Sequence, residues 1–236
     1  MTRKILRWII RQLFFLLSQV EVEGLDRIPS QGAFILVVNH LSQLDPPLIM
    51  MLVERDDLTG WVAEKYQKNV AVSWLVKVMH GIWLNRGEAD RNELRQAVEY
   101  LKAGGCLGIA PEGTRSPTGA LIEGKTGAAY LAEKTGVLVI PAAITGTQTA
   151  IRDLKLLRRP RIGVHIGLPF HLPPVDRAAR AEELQRNADE IMCRIAALLP
   201  PEYRGVYADH PRLLKLLSKG ADVNCSESLT DVMKCR

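Results

Sequence analysis

Ala33–Leu48 reads AFILVVNHLSQLDPPL, and the change of pattern inside it decides the fold. Ala33–Val38 is apolar at every position, as in a strand covered on both faces; alternation with polar residues would mark a strand with one wet face. Pro46-Pro47 suits the first turn of a helix, where the missing proline N–H has no partner to lose. Between them, Asn39–Asp45 is the strand-to-helix loop, where open α/β sheets carry their reactive groups.

Working outward, strand-like runs recur at Val20–Glu23, Gly60–Ala63, Gly81–Leu84, Cys106–Ala110, Leu138–Ile144 and Arg161–Ile166. Helical patterns occupy Pro46–Leu52, Ser73–Met79, Ala89–Lys102, Thr126–Thr135 and Arg177–Leu199. Strands alternating with helices predict one α/β domain over residues 20–200, a largely parallel sheet flanked by helices. Residues 201–236 are expected to form a helical, flexible tail. Within it Leu213–Asn224 (LLKLLSKGADVN) looks like the end of an ankyrin repeat, but a single partial repeat cannot bury its own face. A helix stopped by Gly220 and followed by a frayed end fits better.

The 236 residues carry a net charge of +5, which favours an anionic partner: a phospholipid surface, a phosphorylated substrate or nucleic acid. The basic cluster Lys155–Arg161 lacks the interleaved aromatics of a nucleic-acid groove, so a membrane-facing or solvated role is simpler and no nucleic-acid partner is expected. The four cysteines, Cys106, Cys193, Cys225 and Cys235, have neither CxxC pairing nor histidines at zinc-ligand spacing. No disulfide framework and no metal site is expected.

Residues 1–19 are rich in Ile, Leu, Phe and Trp, yet Arg3, Arg7 and Arg11 recur every four residues and form one basic stripe on a helix. The longest uncharged stretch, Gln12–Val20, falls well short of the ~20 residues of a spanning helix. An amphipathic helix anchored in the membrane interface is expected, arginines at anionic headgroups and Trp8 and Phe14 below them. A helix packed on the domain core is the alternative. Peripheral or monotopic attachment to the cytoplasmic face of the cell membrane follows from the first.

In the loop Asn39–Asp45, a histidine can take a proton from an attacking hydroxyl. A carboxylate at its other ring nitrogen would fix the tautomer and stabilise the imidazolium. His40 and Asp45 are spaced to do this, although an Asp before Pro-Pro is also a common helix N-cap and a lone histidine a common structural residue. Spacing alone leaves both open. Gly119–Thr126 (GALIEGKT) matches the phosphate-binding loop GxxxxGK[ST], but that motif needs a strand directly before its first glycine. Here Pro111, Gly113 and Pro117 intervene, so a nucleotide triphosphatase is not expected.

Three further segments join the NHxxxxD block: Gly81–Arg86 (GIWLNR), Pro111–Ser116 (PEGTRS) and Val139–Ile144 (VIPAAI). Together, and in this order over roughly Val20–Gly167, the four blocks resemble the glycerolipid acyltransferase family, most closely its bacterial 1-acyl-sn-glycerol-3-phosphate (lysophosphatidic acid) acyltransferases. The resemblance implies an O-acyltransferase of phospholipid biosynthesis that moves a fatty acyl group from acyl-CoA or acyl carrier protein onto the free hydroxyl of 1-acylglycerol 3-phosphate, forming phosphatidic acid. It implies His40 as general base oriented by Asp45, and Arg86, Glu112, Gly113, Thr114 and Arg115 as ligands of the acceptor's phosphate end, with Lys65 adding to them. It implies no bound cofactor and no metal; the partners are the thioester donor, a lysophospholipid acceptor and an anionic membrane surface. Alternatives are a different acceptor, such as glycerol 3-phosphate or another lysolipid, and a catalytically idle membrane-binding scaffold. The 39 residues before His40 leave room for one amphipathic helix, where the family often has a longer helical membrane motif.

Overall fold

In the computed structural model, which describes residues 3–64, 67–78, 81–84 and 91–218, the apolar run beginning at Phe34 is the centre of the molecule. Strand β2 (Phe34–Val38) is buried at all five positions. It lies between β5 (Cys106–Ile109) and β6 (Leu138–Thr145), parallel to both, with Phe34 opposite Cys106 on one side and Leu138 on the other. The seven-stranded sheet has the order β1-β7-β6-β2-β5-β3-β4. Its remaining strands are β1 (Gln19–Glu23), β3 (Leu58–Ala63), β4 (Ile82–Leu84) and β7 (Arg161–Ile166). β6–β7 is the antiparallel pairing, so β1 and β7 run against the other five.

Because successive side chains point to opposite faces, β2 feeds two cores. Ile35 and Val37, with Leu107, Ile109 and Val139, pack under α4 (Arg91–Lys102), α5 (Gly127–Thr135) and α7 (Arg180–Ala197). Phe34, Leu36 and Val38, with Ile140, Ile144 and Val164, pack under α2 (Asp45–Leu52) and Ala150 of α6 (Thr147–Lys155). A further helix, α3 (Val70–Val78), precedes β4. The result is the expected α/β architecture, with element ends within three residues of expectation. The exception is α6, which its sequence TQTAIRDLK conceals: two β-branched threonines in its first turn weaken helix propensity. Its second turn is held instead by burial of Ala150 at 1% exposure.

Residues 201–218 continue onto the same body. Two 3-10 turns, Pro201–Tyr203 and Gly205–Tyr207, lead to α8 (Pro211–Ser218), whose Leu213 and Leu216 join Tyr207 in the core against α7. Gly220 and the rest of the tail, with Cys225 and Cys235, lie outside the described residues. Cys106 and Cys193 are buried free thiols, and burial pushes both up to about 12.

Helix α1 (Arg3–Leu17) corrects one expectation. Its arginine stripe faces the protein. Arg3 donates to the Leu58 carbonyl at 2.7 Å, Arg7 to the Met50 and Arg55 carbonyls and to Asp56, and Arg11 to Glu54. These partners are the carbonyls and acids around the end of α2, which take the guanidinium donors before any lipid could. Leu6 is buried, and Ile10 and Phe14 pack on the sheet's α2 side. The opposite face is apolar and exposed: Ile5 51%, Trp8 62%, Leu13 50% and Leu16 72%. No described helix is long and apolar enough to cross a membrane.

Candidate active site

The loop between β2 and α2 is folded around one carboxylate. Asp45 is 2% exposed, and its Oδ2 accepts the Leu41 and Ser42 amides at 2.7 Å each and His40 Nδ1–H at 2.8 Å. Its Oδ1 accepts the Thr147 hydroxyl at 2.6 Å. An N-cap carboxylate would serve the amides of the first helical turn, but Pro46 and Pro47 have none to offer, so Asp45 turns back into the loop. An ionised carboxylate only accepts, so His40 donates from Nδ1 and its Nε2 keeps the lone pair. The His40 side chain stays 20% exposed against 3% for Asp45, so the imidazole presents that nitrogen at the surface of an otherwise buried network.

His40 is held by its backbone as well. Its amide donates to Glu112 Oε2 at 2.9 Å, and its carbonyl accepts the Ser116 amide at 2.8 Å. Asn39, 1% exposed, makes two bonds to the backbone of Ile144, Nδ2 to its carbonyl at 2.9 Å and its amide to Oδ1 at 2.7 Å. Thus the His40 loop is stitched to the turn after β5 and to the end of β6. The NHxxxxD, PEGTRS and VIPAAI blocks, distant in sequence, meet at the carboxyl ends of three adjacent strands.

Glu112 lies enclosed behind the His40 loop. It is 1% exposed, and its second oxygen accepts the Ile122 amide at 3.3 Å. Both carboxylate oxygens are thus engaged by backbone amides, one of them that of His40. Burial pushes Glu112 up to about 7, opposed by the two amide donors, and nearby Asp45 adds to the rise.

Gly113, Thr114 and Arg115 follow at the surface of the same turn. Gly113 has φ 67°, a left-handed conformation that glycine adopts without strain, and its amide closes the turn on Ala110 at 2.9 Å. Thr114 is exposed and Arg115 half-buried. The Lys125 chain lies over Gly113, its Nζ 3.2 Å from where a Cβ would stand, so a second cation joins Arg115 at this turn. Lys65 and Arg86 lie outside the described residues. Thr147 escaped notice in the sequence, and Asn39, though it opens the NHxxxxD block, was given no role.

The glycine amides of one motif, and one groove, take no part in this arrangement. The phosphate-loop look-alike spends its amides on the protein: Gly119 N–H goes to Ser116 Oγ at 3.1 Å and Gly124 N–H to the Tyr207 hydroxyl at 3.0 Å. A groove of about 420 Å³ lined by Lys4, Arg7, Trp8, Arg11, Glu54 and Asp56 lies beyond the end of α2 remote from Asp45, and its charges pair with one another.

Comparison with known proteins agrees with this geometry. Residues 19–145 match the family Acyltransferase. The chain is similar to the chloroplastic 1-acyl-sn-glycerol-3-phosphate acyltransferase of Arabidopsis thaliana, 32% identical over 133 residues, covering 55% of this chain and 36% of that one. It is also similar to the 1-acyl-sn-glycerol-3-phosphate acyltransferase of Bacillus subtilis (strain 168), 22% identical over 189 residues, 77% of this chain and 92% of that one. It spans 36% to 50% of the length of the plant relatives it matches. Among solved structures, that of the 1-acyl-sn-glycerophosphate (LPA) acyltransferase PlsC from Thermotoga maritima superimposes with a TM-score of 0.64 at 31% identity, covering 80% of this chain and 76% of the other. The matched segment takes in β1 through β6 and both partners of the His40–Asp45 pair: the chain belongs to the acyltransferase family.

Proposed function

We propose that the protein acylates the free hydroxyl of 1-acylglycerol 3-phosphate from a thioester donor, acyl-CoA or acyl carrier protein, to give phosphatidic acid. The observation that carries this is the His40–Asp45 contact of 2.8 Å, which leaves Nε2 as the proton acceptor beside a turn bearing Arg115 and Lys125. The acceptor's phosphate sits on that turn, where a guanidinium fork and an ammonium match its oxygens; by the family resemblance Lys65 and Arg86 also serve as its ligands. His40 Nε2 takes the hydroxyl proton as the oxygen attacks the thioester carbonyl. The tetrahedral oxyanion then collapses, the C–S bond breaks, and the imidazolium returns its proton to the leaving thiolate. Asp45, fixed by four donors, stabilises the imidazolium in between.

The exposed apolar face of α1 supports peripheral attachment to a membrane, on the cytoplasmic side where thioester donors are found. Residues 1–19 serve as the anchoring helix, 20–200 as the acyltransferase body, and 201–236 as an appendage whose first part packs on α7. The test is acyl transfer by the purified chain, offered lysophosphatidic acid, glycerol 3-phosphate and a neutral lysolipid with each donor. Phosphatidic acid should form from lysophosphatidic acid, and His40→Ala should lower the rate by about 10² to 10⁴. Product from the neutral lysolipid alone would refute the phosphate assignment, and full activity in His40→Ala would refute the base.

A further inference from the structure

Between α6 and β7 the chain runs Lys155-Leu156-Leu157-Arg158-Arg159-Pro160-Arg161, a cluster that the chemistry at His40 leaves unused. Leu157 has φ 55° and is the non-glycine residue with positive φ among the described residues. It is also 96% exposed, and Leu156 is 57% exposed. A bulky residue in the left-handed region costs backbone energy that glycine or asparagine would avoid, and two adjacent leucines in water forgo their burial. Around them Arg152, Lys155, Arg158, Arg159 and Arg161 are all exposed.

The position of the loop supplies the partner. Since β7 and β1 run against β2, β5 and β6, the start of β7 lies at the same edge of the sheet as the His40 loop. Gln19, opening β1, pairs with Arg161, and its amide bonds the Pro160 carbonyl at 2.8 Å. Arg159 donates to the carbonyls of Phe15 and Ser18 at 2.8 and 2.9 Å, closing the C-terminal end of α1. The leucine tip therefore adjoins the exposed C-terminal end of α1, where Phe15 at 48%, Leu16 at 72% and Leu17 at 44% are apolar. Apolar surface continuous over two elements and ringed by cations is complementary to an anionic bilayer, acyl chains inside and phosphates at the rim.

We propose that residues 155–158 form a second membrane contact: Leu156 and Leu157 enter the headgroup–acyl boundary while Lys155 and Arg158 meet lipid phosphates. With α1, the loop turns the sheet edge that carries His40 toward the bilayer, where a lysolipid acceptor resides. The orientation rests on the membrane reading of α1; insertion of the loop does not.

The test is sedimentation of the full chain with vesicles of phosphatidylglycerol and phosphatidylcholine in equal parts, beside vesicles of phosphatidylcholine alone. Leu156→Ser with Leu157→Ser should weaken binding to the anionic vesicles at least about 10-fold. Neutralising Lys155 and Arg158 to Gln should weaken it about fivefold for each charge, an effect absent on phosphatidylcholine. Both loop residues are exposed, so neither variant threatens the fold. A fluorophore on Leu157→Cys, in a chain carrying Cys225→Ser and Cys235→Ser, should shift to the blue on the anionic vesicles. An unshifted emission with unchanged sedimentation of both loop variants would overturn the proposal. Leu13→Ser with Leu16→Ser tests α1 separately: if that pair alone loses binding, the anchor helix stands and the loop contact falls. Self-association without lipid that the leucine pair abolishes, with vesicle binding untouched, would assign the tip to a second copy of the chain and equally overturn the proposal.

Discussion

Replacing Glu112 by Gln tests whether this residue holds the His40 loop or binds the acceptor, and the structure supplies both the size and the sign of the effect. Burial raises Glu112 from an ordinary 4.5 to about 7. Between those values the folded chain keeps a proton that the unfolded chain has released. Its contribution to stability is therefore full below pH 4.5 and is lost as pH rises through about 7. At 1.36 kcal/mol per unit, the loss amounts to about 3 kcal/mol. Gln cannot titrate, so the difference in stability between parent and Glu112→Gln should change by about 3 kcal/mol between pH 4.5 and pH 8.5, in favour of the variant at the higher pH. Near the acidic limit the two should agree to within about 1 kcal/mol, since a protonated carboxyl and an amide each offer one carbonyl acceptor to the His40 and Ile122 N–H groups. Urea unfolding at the two pH values measures this, with other groups cancelling between the two proteins. Steady-state acylation supplies the second readout: a fall of about fivefold in kcat from the loosened His40 backbone, with acceptor KM unchanged. Parallel stability profiles would refute the burial argument. An acceptor KM raised by an order of magnitude with kcat intact would return Glu112 to the substrate side.

Other perturbations follow from the same contacts. Thr147→Val removes the donor to Asp45 Oδ1 and leaves a buried carboxylate oxygen without a partner; kcat should fall about 10-fold with KM held, and Thr147→Ser should restore it. The pH profile of the valine variant should also move, because Thr147 acts through the His40–Asp45 pair; a profile identical to the parent's would make it a packing residue only. Arg115→Lys keeps the charge but loses the fork, so KM for lysophosphatidic acid should rise about 10-fold and that for a neutral lysolipid should not; equal changes for both acceptors would remove Arg115 from the phosphate site. Gly124→Ala would press a methyl onto Met192, whose Sδ stands 3.0 Å from the added Cβ, and should lower stability by about 1–3 kcal/mol in urea; an unchanged midpoint would mean that α7 yields freely.

How much of this was legible beforehand depended on whether the deciding contact was local. β2 was plain because its burial on both faces is written in five consecutive apolar residues. His40 and Asp45 could be matched as a pair because both ends of their contact lie in one loop, although spacing left the N-cap reading of Asp45 open. What Asp45 does with its remaining lone pairs was not, since Thr147 comes from a helix whose own sequence argues weakly for a helix. Glu112 entered as a ligand through the family resemblance alone; its burial was hidden because the Ile122 amide that covers one of its oxygens lies ten residues on. The arginines of α1 were rightly placed on a single stripe, but periodicity says only which residues share a face. It could not say that the Met50, Arg55 and Leu58 carbonyls stood waiting to accept them, and so which face would look outward was inverted.

The sheet order carries a consequence for the making of the protein. Helix α1 and strand β1 are synthesised before the rest of the sheet, yet β1 finds its pairing partner only in β7, and the Arg159–Ser18 contact that seals the two spans 141 residues. Until β7 is made, α1 has neither the sheet edge beside it nor the later loop that closes its end. In that interval a basic, apolar helix is left in search of a surface. Closing so long a loop is the slow step of such a topology, and a bilayer present during that interval can hold the helix while the sheet assembles from β2 outward. Refolding yields with and without vesicles would then differ.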